Sequence, residues 1–174
     1  RKIKYFDYLL REELALKNAV ATAEGALEIA IHNTPITIHN SKCVVTGYGR
    51  IGKLLARMLK NLEADVTVSA RRTAARAEAE VDGFKAVDIP NLADVCANCD
   101  IIFNTVPALL FDSKVLKATD KNALLIDLAS KPGGVDITSS KDYGINVITA
   151  LGLPGKCAPV TSGKIIFEAI CNIL

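Results

Sequence analysis

A chain of 174 residues has the length of one ordinary domain. Half of its residues are apolar and 23% are charged, enough to bury a core, and a net charge of +2 gives no reason to expect nucleic acid or an anionic membrane as partner. No apolar stretch reaches the ~20 residues of a membrane span, and no basic segment followed by an apolar run marks a signal peptide.

The chain opens at Arg1 inside an amphipathic pattern, so a piece of a longer protein is expected. Residues 5–16 mix aromatic and aliphatic residues with charges and are expected to be helical, at least in part. Thr22 is a plausible N-cap for a second helix over Ala23–Ile31, with Glu24 complementing the dipole in its first turn. That alanine-rich helix should pack closely against another domain or a twin subunit. It should end near Asn33-Thr34-Pro35, which makes residues 1–35 a helical hinge segment ahead of a domain over 36–174.

From Ile36 onward strands and helices alternate. The expected strands are 42–46, 65–69, 84–87, 100–104, 123–128 and 145–149, and the helices 51–62, 73–80, 91–96, 113–118, 137–142 and 162–173. Such alternation predicts an α/β fold with a doubly wound parallel sheet of Rossmann type. Ligands then bind at the carboxyl ends of the strands, near the switch in strand order.

The first strand runs into Gly47-Tyr48-Gly49-Arg50-Ile51-Gly52. A GxGxxG alone is weak, but this one follows a β-branched strand and opens a helix. Ile51, Leu54, Leu55, Met58, Leu59 and Leu62 then form one apolar stripe, and Val66-Thr67-Val68 completes the βαβ unit. Gly47 permits the tight turn, Gly49 lets backbone approach a pyrophosphate, and Gly52 lets helix and strand close up. The helix N-terminus offers free N–H groups and partial positive charge to the phosphates. Dinucleotide binding is the expectation.

An NAD site places a carboxylate on the ribose ~20 residues further on. Here that place holds Ser69, followed by Ala70, Arg71 and Arg72. Nothing there repels a 2′-phosphate; a hydroxyl and two guanidiniums can hold one, so NADP is expected ahead of NAD. The plainer reading makes both arginines solvated, although a helix start disfavours cations unless an anion is due.

Cys96-Ala-Asn-Cys99 has CxxC spacing but precedes a strand, and His32 and His39 lie far upstream, so packing residues are expected rather than a metal or redox site. The five cysteines, an odd number, are read as reduced cytosolic thiols. Asn104-Thr105-Val106-Pro107 leaves the fourth strand beside the first. This turn either contacts the nicotinamide half of the cofactor or is purely structural. After the fifth strand comes Asp127-Leu128-Ala129-Ser130-Lys131-Pro132-Gly133-Gly134. Lys131 holds a substrate carboxylate or is a solvated loop lysine, and Asp127 is expected to bond backbone amides of its own loop. Thr161 or Ser162 is expected to cap the last helix or to help hold an anion there.

These segments, together with Thr22–Ala26 and Leu151-Gly152-Leu153-Pro154-Gly155 with Ala158-Pro159, resemble the A-subunit family of dipicolinate synthase over nearly the whole chain. That family looks related to the alanine and 2-hydroxyacid dehydrogenases. The resemblance implies a nicotinamide-dependent oxidation of a dihydrodipicolinate-type ring to dipicolinate during sporulation. It also implies a small dicarboxylate substrate, a B-subunit partner, a homo- or hetero-oligomer, a mother-cell cytoplasm and a further N-terminal domain. Its cofactor role carries over to Gly47, Gly49, Gly52 and residues 104–107; no catalytic residue carries over. A non-catalytic cofactor-binding subunit, or a dehydrogenase of another amino or hydroxy acid, remains as the alternative.

Overall fold

The structure, a computed structural model, describes residues 6–173. A 3-10 turn over Tyr8–Leu10 leads into α1 (Glu12–Asn33), and strands and helices then alternate. The strands are β1 (Lys42–Thr46), β2 (Asp65–Ser69), β3 (Lys85–Val87), β4 (Ile101–Asn104), β5 (Leu124–Asp127) and β6 (Asn146–Thr149). The helices between them are α2 (Arg50–Asn61), α3 (Thr73–Val81), α4 (Leu92–Cys96), α5 (Ser113–Ala118) and α6 (Ile137–Tyr143), with α7 (Leu153–Cys157) and α8 (Pro159–Cys171) at the end. All six strands are parallel in the order β3-β2-β1-β4-β5-β6, so the strand order reverses between β1 and β4. The Rossmann-type α/β expectation holds, and each strand lies within a residue of its expected place.

Side chains alternate across the central strands, and the alternation divides the core into two layers. Val45, Val68, Ile101, Phe103, Leu124 and Ile126 face α1, α2 and α3, while Val44, Ile102 and Leu125 pack with Leu92, Phe111 and Leu116 of the other face. Central strands β4 and β5 are buried at every residue, as a parallel sheet covered by helices on both faces requires. Cys96 and Cys99 are buried in the second layer.

Expectations at both ends of the chain are corrected. Residues 12–33 form one helix, not two: nothing between Lys17 and Ala21 breaks it, and Thr22 donates its hydroxyl to Asn18 O at 2.9 Å instead of capping a new start. Tyr5 of the expected first segment lies outside the described residues. The small residues of α1 are also covered by this chain itself. Ala23, Ala26 and Ala30 are fully buried, and a Cβ on Gly25 would lie 2.9 Å from Cys157 Sγ, so α7 rests directly on α1. At the C-terminal end, the expected loop contains α7, and α8 starts at Pro159, whose fixed φ suits a first helical position. Thr161 and Ser162 therefore lie inside the helix, where neither caps it.

Candidate dinucleotide site

Gly47 and Gly52 are demanded by the fold. Gly47 has a φ of +86°, its N–H donates to Ser69 O at 2.8 Å, and a Cβ there would lie 2.6 Å from Thr105 Oγ1. A Cβ on Gly52 would lie 2.1 Å from Gly47 O, a distance no side chain tolerates. The turn is thus wedged between α2 and Thr105, whose hydroxyl donates to Thr46 O at 2.7 Å. Gly49 is different: its φ of −96° suits any residue, and a Cβ there would meet nothing within 4 Å. As N-cap of α2 it supplies no side-chain acceptor, so the first-turn N–H groups have no side-chain cap.

Beside this turn lies a cleft of about 480 Å³, within the range of small-ligand sites. Residues 47–49 form one wall, residues 105–108 with Leu110 the other, and Arg71, Arg72, Ala75 and Ile89 the far end. Arg71 and Arg72 are exposed, and Arg72 is N-cap of α3 without a side-chain capping bond. Among the described residues Arg11, Arg50, Arg57 and Arg76 each pair with a carboxylate, and Arg71 and Arg72 do not.

Several of the expected contact residues are taken up by bonds or burial within the chain. Ser69 is fully buried and its hydroxyl has no partner among the described residues. Ser69 is not among the residues lining the cleft, and its carbonyl anchors Gly47. Tyr48 contributes backbone to the wall, but its ring is buried edge-on to Phe84 at 6.1 Å and its hydroxyl donates to Asp82 Oδ2 at 2.5 Å. Burial first, and that bond second, push the Tyr48 phenol up; the same bond holds the Asp82 carboxyl below its usual range.

Asn104 is fully buried as well. Its Oδ1 accepts from Thr46 Oγ1 at 2.5 Å and Val106 N at 3.1 Å, and its Nδ2 donates to Asp127 Oδ1 at 2.8 Å and Val106 O at 3.1 Å. Asp127 also accepts from Ala129 N and Gly134 N, the loop-bracing role expected of it. Gly134 O in turn accepts from Leu110 N and Phe111 N, so one network under the sheet edge shapes the 105–110 wall. Of the expected turn, then, Thr105, Val106 and Pro107 line the cleft and Asn104 holds them there.

Arg50 and Ile51 open α2, and the Arg50 guanidinium bonds Glu12 of α1. The expected substrate contacts are not brought to this cleft. Lys131 is exposed on the loop after β5, Thr161 is exposed on α8, and Ser162 is buried, donating to Pro154 O at 2.8 Å. None of the three lines the cleft. Sequence reasoning missed Ala70, Ala75, Ile89, Ala108 and Leu110, small or apolar residues that line the cleft without any motif. No described helix is long and apolar enough to cross a membrane.

Residues 10–132 match the family described as D-isomer specific 2-hydroxyacid dehydrogenase, NAD binding domain. The A-subunit of dipicolinate synthase from Bacillus subtilis is 36% identical over 172 residues, 99% of this chain and 57% of that protein. The crystal structure of the dipicolinate synthase A-subunit from Bacillus halodurans superposes with a TM-score of 0.92 at 36% identity, covering 95% of this chain and 57% of that one. An L-alanine dehydrogenase shares the fold, with a TM-score of 0.72 at 14% identity over 92% of this chain and 54% of that one. The chain spans little more than half the length of these relatives. Two fold-demanded glycines, a third open to a ligand and an NAD-binding family match over most of the length agree: the chain belongs to the NAD-binding domain family of the D-isomer specific 2-hydroxyacid dehydrogenases and is similar throughout to the A-subunit of dipicolinate synthase.

Proposed function

We propose that this chain binds NADP(H), in preference to NAD(H), as the cofactor-binding part of an oxidoreductase of the dipicolinate synthase A-subunit type. The observation that carries the reading is Gly49. Of the fingerprint glycines it alone has an ordinary backbone and open space where a side chain would stand, so the fold does not explain its missing Cβ and a ligand does.

In this reading the pyrophosphate lies over Gly49 and the uncapped first turn of α2, to which Arg50 and Ile51 contribute backbone N–H groups. The adenosine end occupies the slot beside Ala75 and Ile89, and Arg71 and Arg72 take the 2′-phosphate. Thr105, Val106 and Pro107 wall the opposite side. A bound nicotinamide supplies hydride acceptance; the protein orients it and excludes water. The substrate of the reading is a dihydrodipicolinate-type dicarboxylate. The described cleft lining offers no carboxylate, imidazole or lysine amine as proton acceptor. That group, and the clamp for the substrate carboxylates, are assigned to the rest of a protein of the relatives' length or to a B-type partner subunit. Residues 1–35 serve as the hinge to that remainder, and the mother-cell cytoplasm is the setting.

Calorimetric titration with NADPH tests it. The chain is expected to bind, and Gly49→Val is expected to abolish binding with its thermal midpoint unchanged. Undiminished affinity in a folded Gly49→Val variant would place the dinucleotide elsewhere.

A further inference from the structure

Arg76 is spent on its own backbone. Its Nη1 donates to Ala70 O at 2.8 Å and Arg71 O at 2.9 Å, and its Nη2 reaches Thr73 Oγ1 at 3.3 Å. The same Nη1 lies 3.1 Å from Asp88 Oδ1, with the Arg76 side chain only 19% exposed. Asp88 Oδ1 also accepts from Ile89 N at 2.8 Å, and Ile89 lines the far end of the cleft. One guanidinium therefore ties the loop after β2 to the loop after β3, where the main chains already meet through Ala70 N and Val87 O at 3.0 Å.

Two consecutive carbonyls held by one nitrogen of a planar guanidinium fix the peptide planes on either side of Arg71. Those planes decide where the Arg71 and Arg72 side chains leave the backbone. Two adjacent free guanidiniums repel each other, and ordering the loop that carries them only when a ligand arrives costs conformational entropy. A loop braced beforehand avoids much of that cost. Arg76 itself brings little attraction for an anion, because Asp88 balances its charge.

We propose that Arg76 is the positioning residue for 2′-phosphate selectivity, aiming Arg71 and Arg72 through the Ala70 and Arg71 carbonyls without touching the cofactor. This rests on the NADP reading given above.

Adenosine 2′,5′-bisphosphate and 5′-AMP, which differ only in the 2′-phosphate, are the probes. Their dissociation constants are measured on the wild type, Arg76→Gln, Arg76→Lys, Arg71→Ala/Arg72→Ala, and the triple variant with Arg76→Gln. The wild type is expected to prefer the bisphosphate. Arg76→Gln should reduce that preference roughly tenfold, the worth of one weakened charge-assisted hydrogen bond, while 5′-AMP affinity stays within about twofold. Arg76→Lys, with a shorter point charge in place of the fork, should fall between and serves if the glutamine variant does not fold. In the background lacking Arg71 and Arg72, Arg76→Gln should change nothing further.

An unchanged preference in both Arg76 variants overturns the inference, as does equal loss of both ligands, which marks a merely structural residue. A further loss in the Arg71→Ala/Arg72→Ala background shows direct contact and overturns it too. A wild type with no preference removes the NADP reading itself; a wild-type preference that Arg71→Ala/Arg72→Ala abolishes and Arg76→Gln leaves intact removes this inference alone.

Discussion

Asn104 and Asp127, 23 residues apart, meet at 2.8 Å beneath the carboxyl edge of the sheet and determine the form of a cleft that neither lines. Asn104 ends β4 and Asp127 ends β5, at paired positions in register, so their side chains leave the same edge. A Cβ on Gly134 would lie 2.1 Å from Asn104 Nδ2, so only glycine lets the returning loop close over the pair.

Asn104→Ala is expected to strip a donor from the buried Asp127 carboxylate and an acceptor from Thr46. A hydrogen bond to a charged group contributes ~1.5–3 kcal/mol, so the thermal midpoint should fall by roughly 5–10 °C. Dinucleotide affinity should weaken as well, because Val106 loses both bonds that shape its turn. Calorimetry of melting and of binding reads both effects; a variant as stable as the wild type would remove the bracing role.

Gly52→Ala and Gly49→Ala should behave in opposite ways. The alanine at 52 drives a methyl into Gly47 O and should cost ~3 kcal/mol, at the top of the range for overpacking. At 49 the methyl stands in open space, and stability should be unchanged or slightly raised by the loss of glycine's chain freedom. Denaturant unfolding of the two variants decides, and equal loss in both would contradict the steric assignment.

Arg71→Ala should narrow the gap between NADPH and NADH. Loss of a charge-assisted contact of ~1.5–3 kcal/mol corresponds to roughly ten- to a hundredfold in NADPH affinity, with NADH little changed. Parallel titrations with the two cofactors measure it, and tighter NADH binding by the wild type would end the NADP assignment.

Tyr48 should make the fold sensitive to alkali. Its phenol is raised above the ordinary value of ~10, so in this region the folded chain keeps a proton that the unfolded chain releases. The unfolded state then binds fewer protons, and stability falls as pH rises above ~10, by at most ~1.4 kcal/mol per pH unit from this group. The contribution is intact below that pH. Tyr48→Phe removes the titrating group, and its stability should decline less steeply between pH 10 and 11 in urea unfolding. Identical slopes would show that another group governs the alkaline limb.

Much of the architecture is legible in the order of residues because its causes are local. The short, continuously buried runs of β1, β4 and β5 and the apolar stripe of α2 are set within a few residues, and so is the glycine turn between β1 and α2. Arg71 and Arg72 announce themselves in the same way, as cations at a helix start. Where an end-of-strand side chain points depends instead on the neighbours that close over it. Ser69 and Asn104 both look like cofactor contacts in sequence. Ser69 is fully buried at the end of β2, and Asn104 is held by Thr46, 58 residues before it, and Asp127, 23 after it. The seat of α7 on α1 likewise rests on contacts more than a hundred residues apart along the chain, such as Cys157 Sγ on Ala21 O at 3.0 Å. Local pattern determined which elements form and where the glycine turn falls; packing between distant segments decided which residues line the cleft and which polar groups hold the wall behind it.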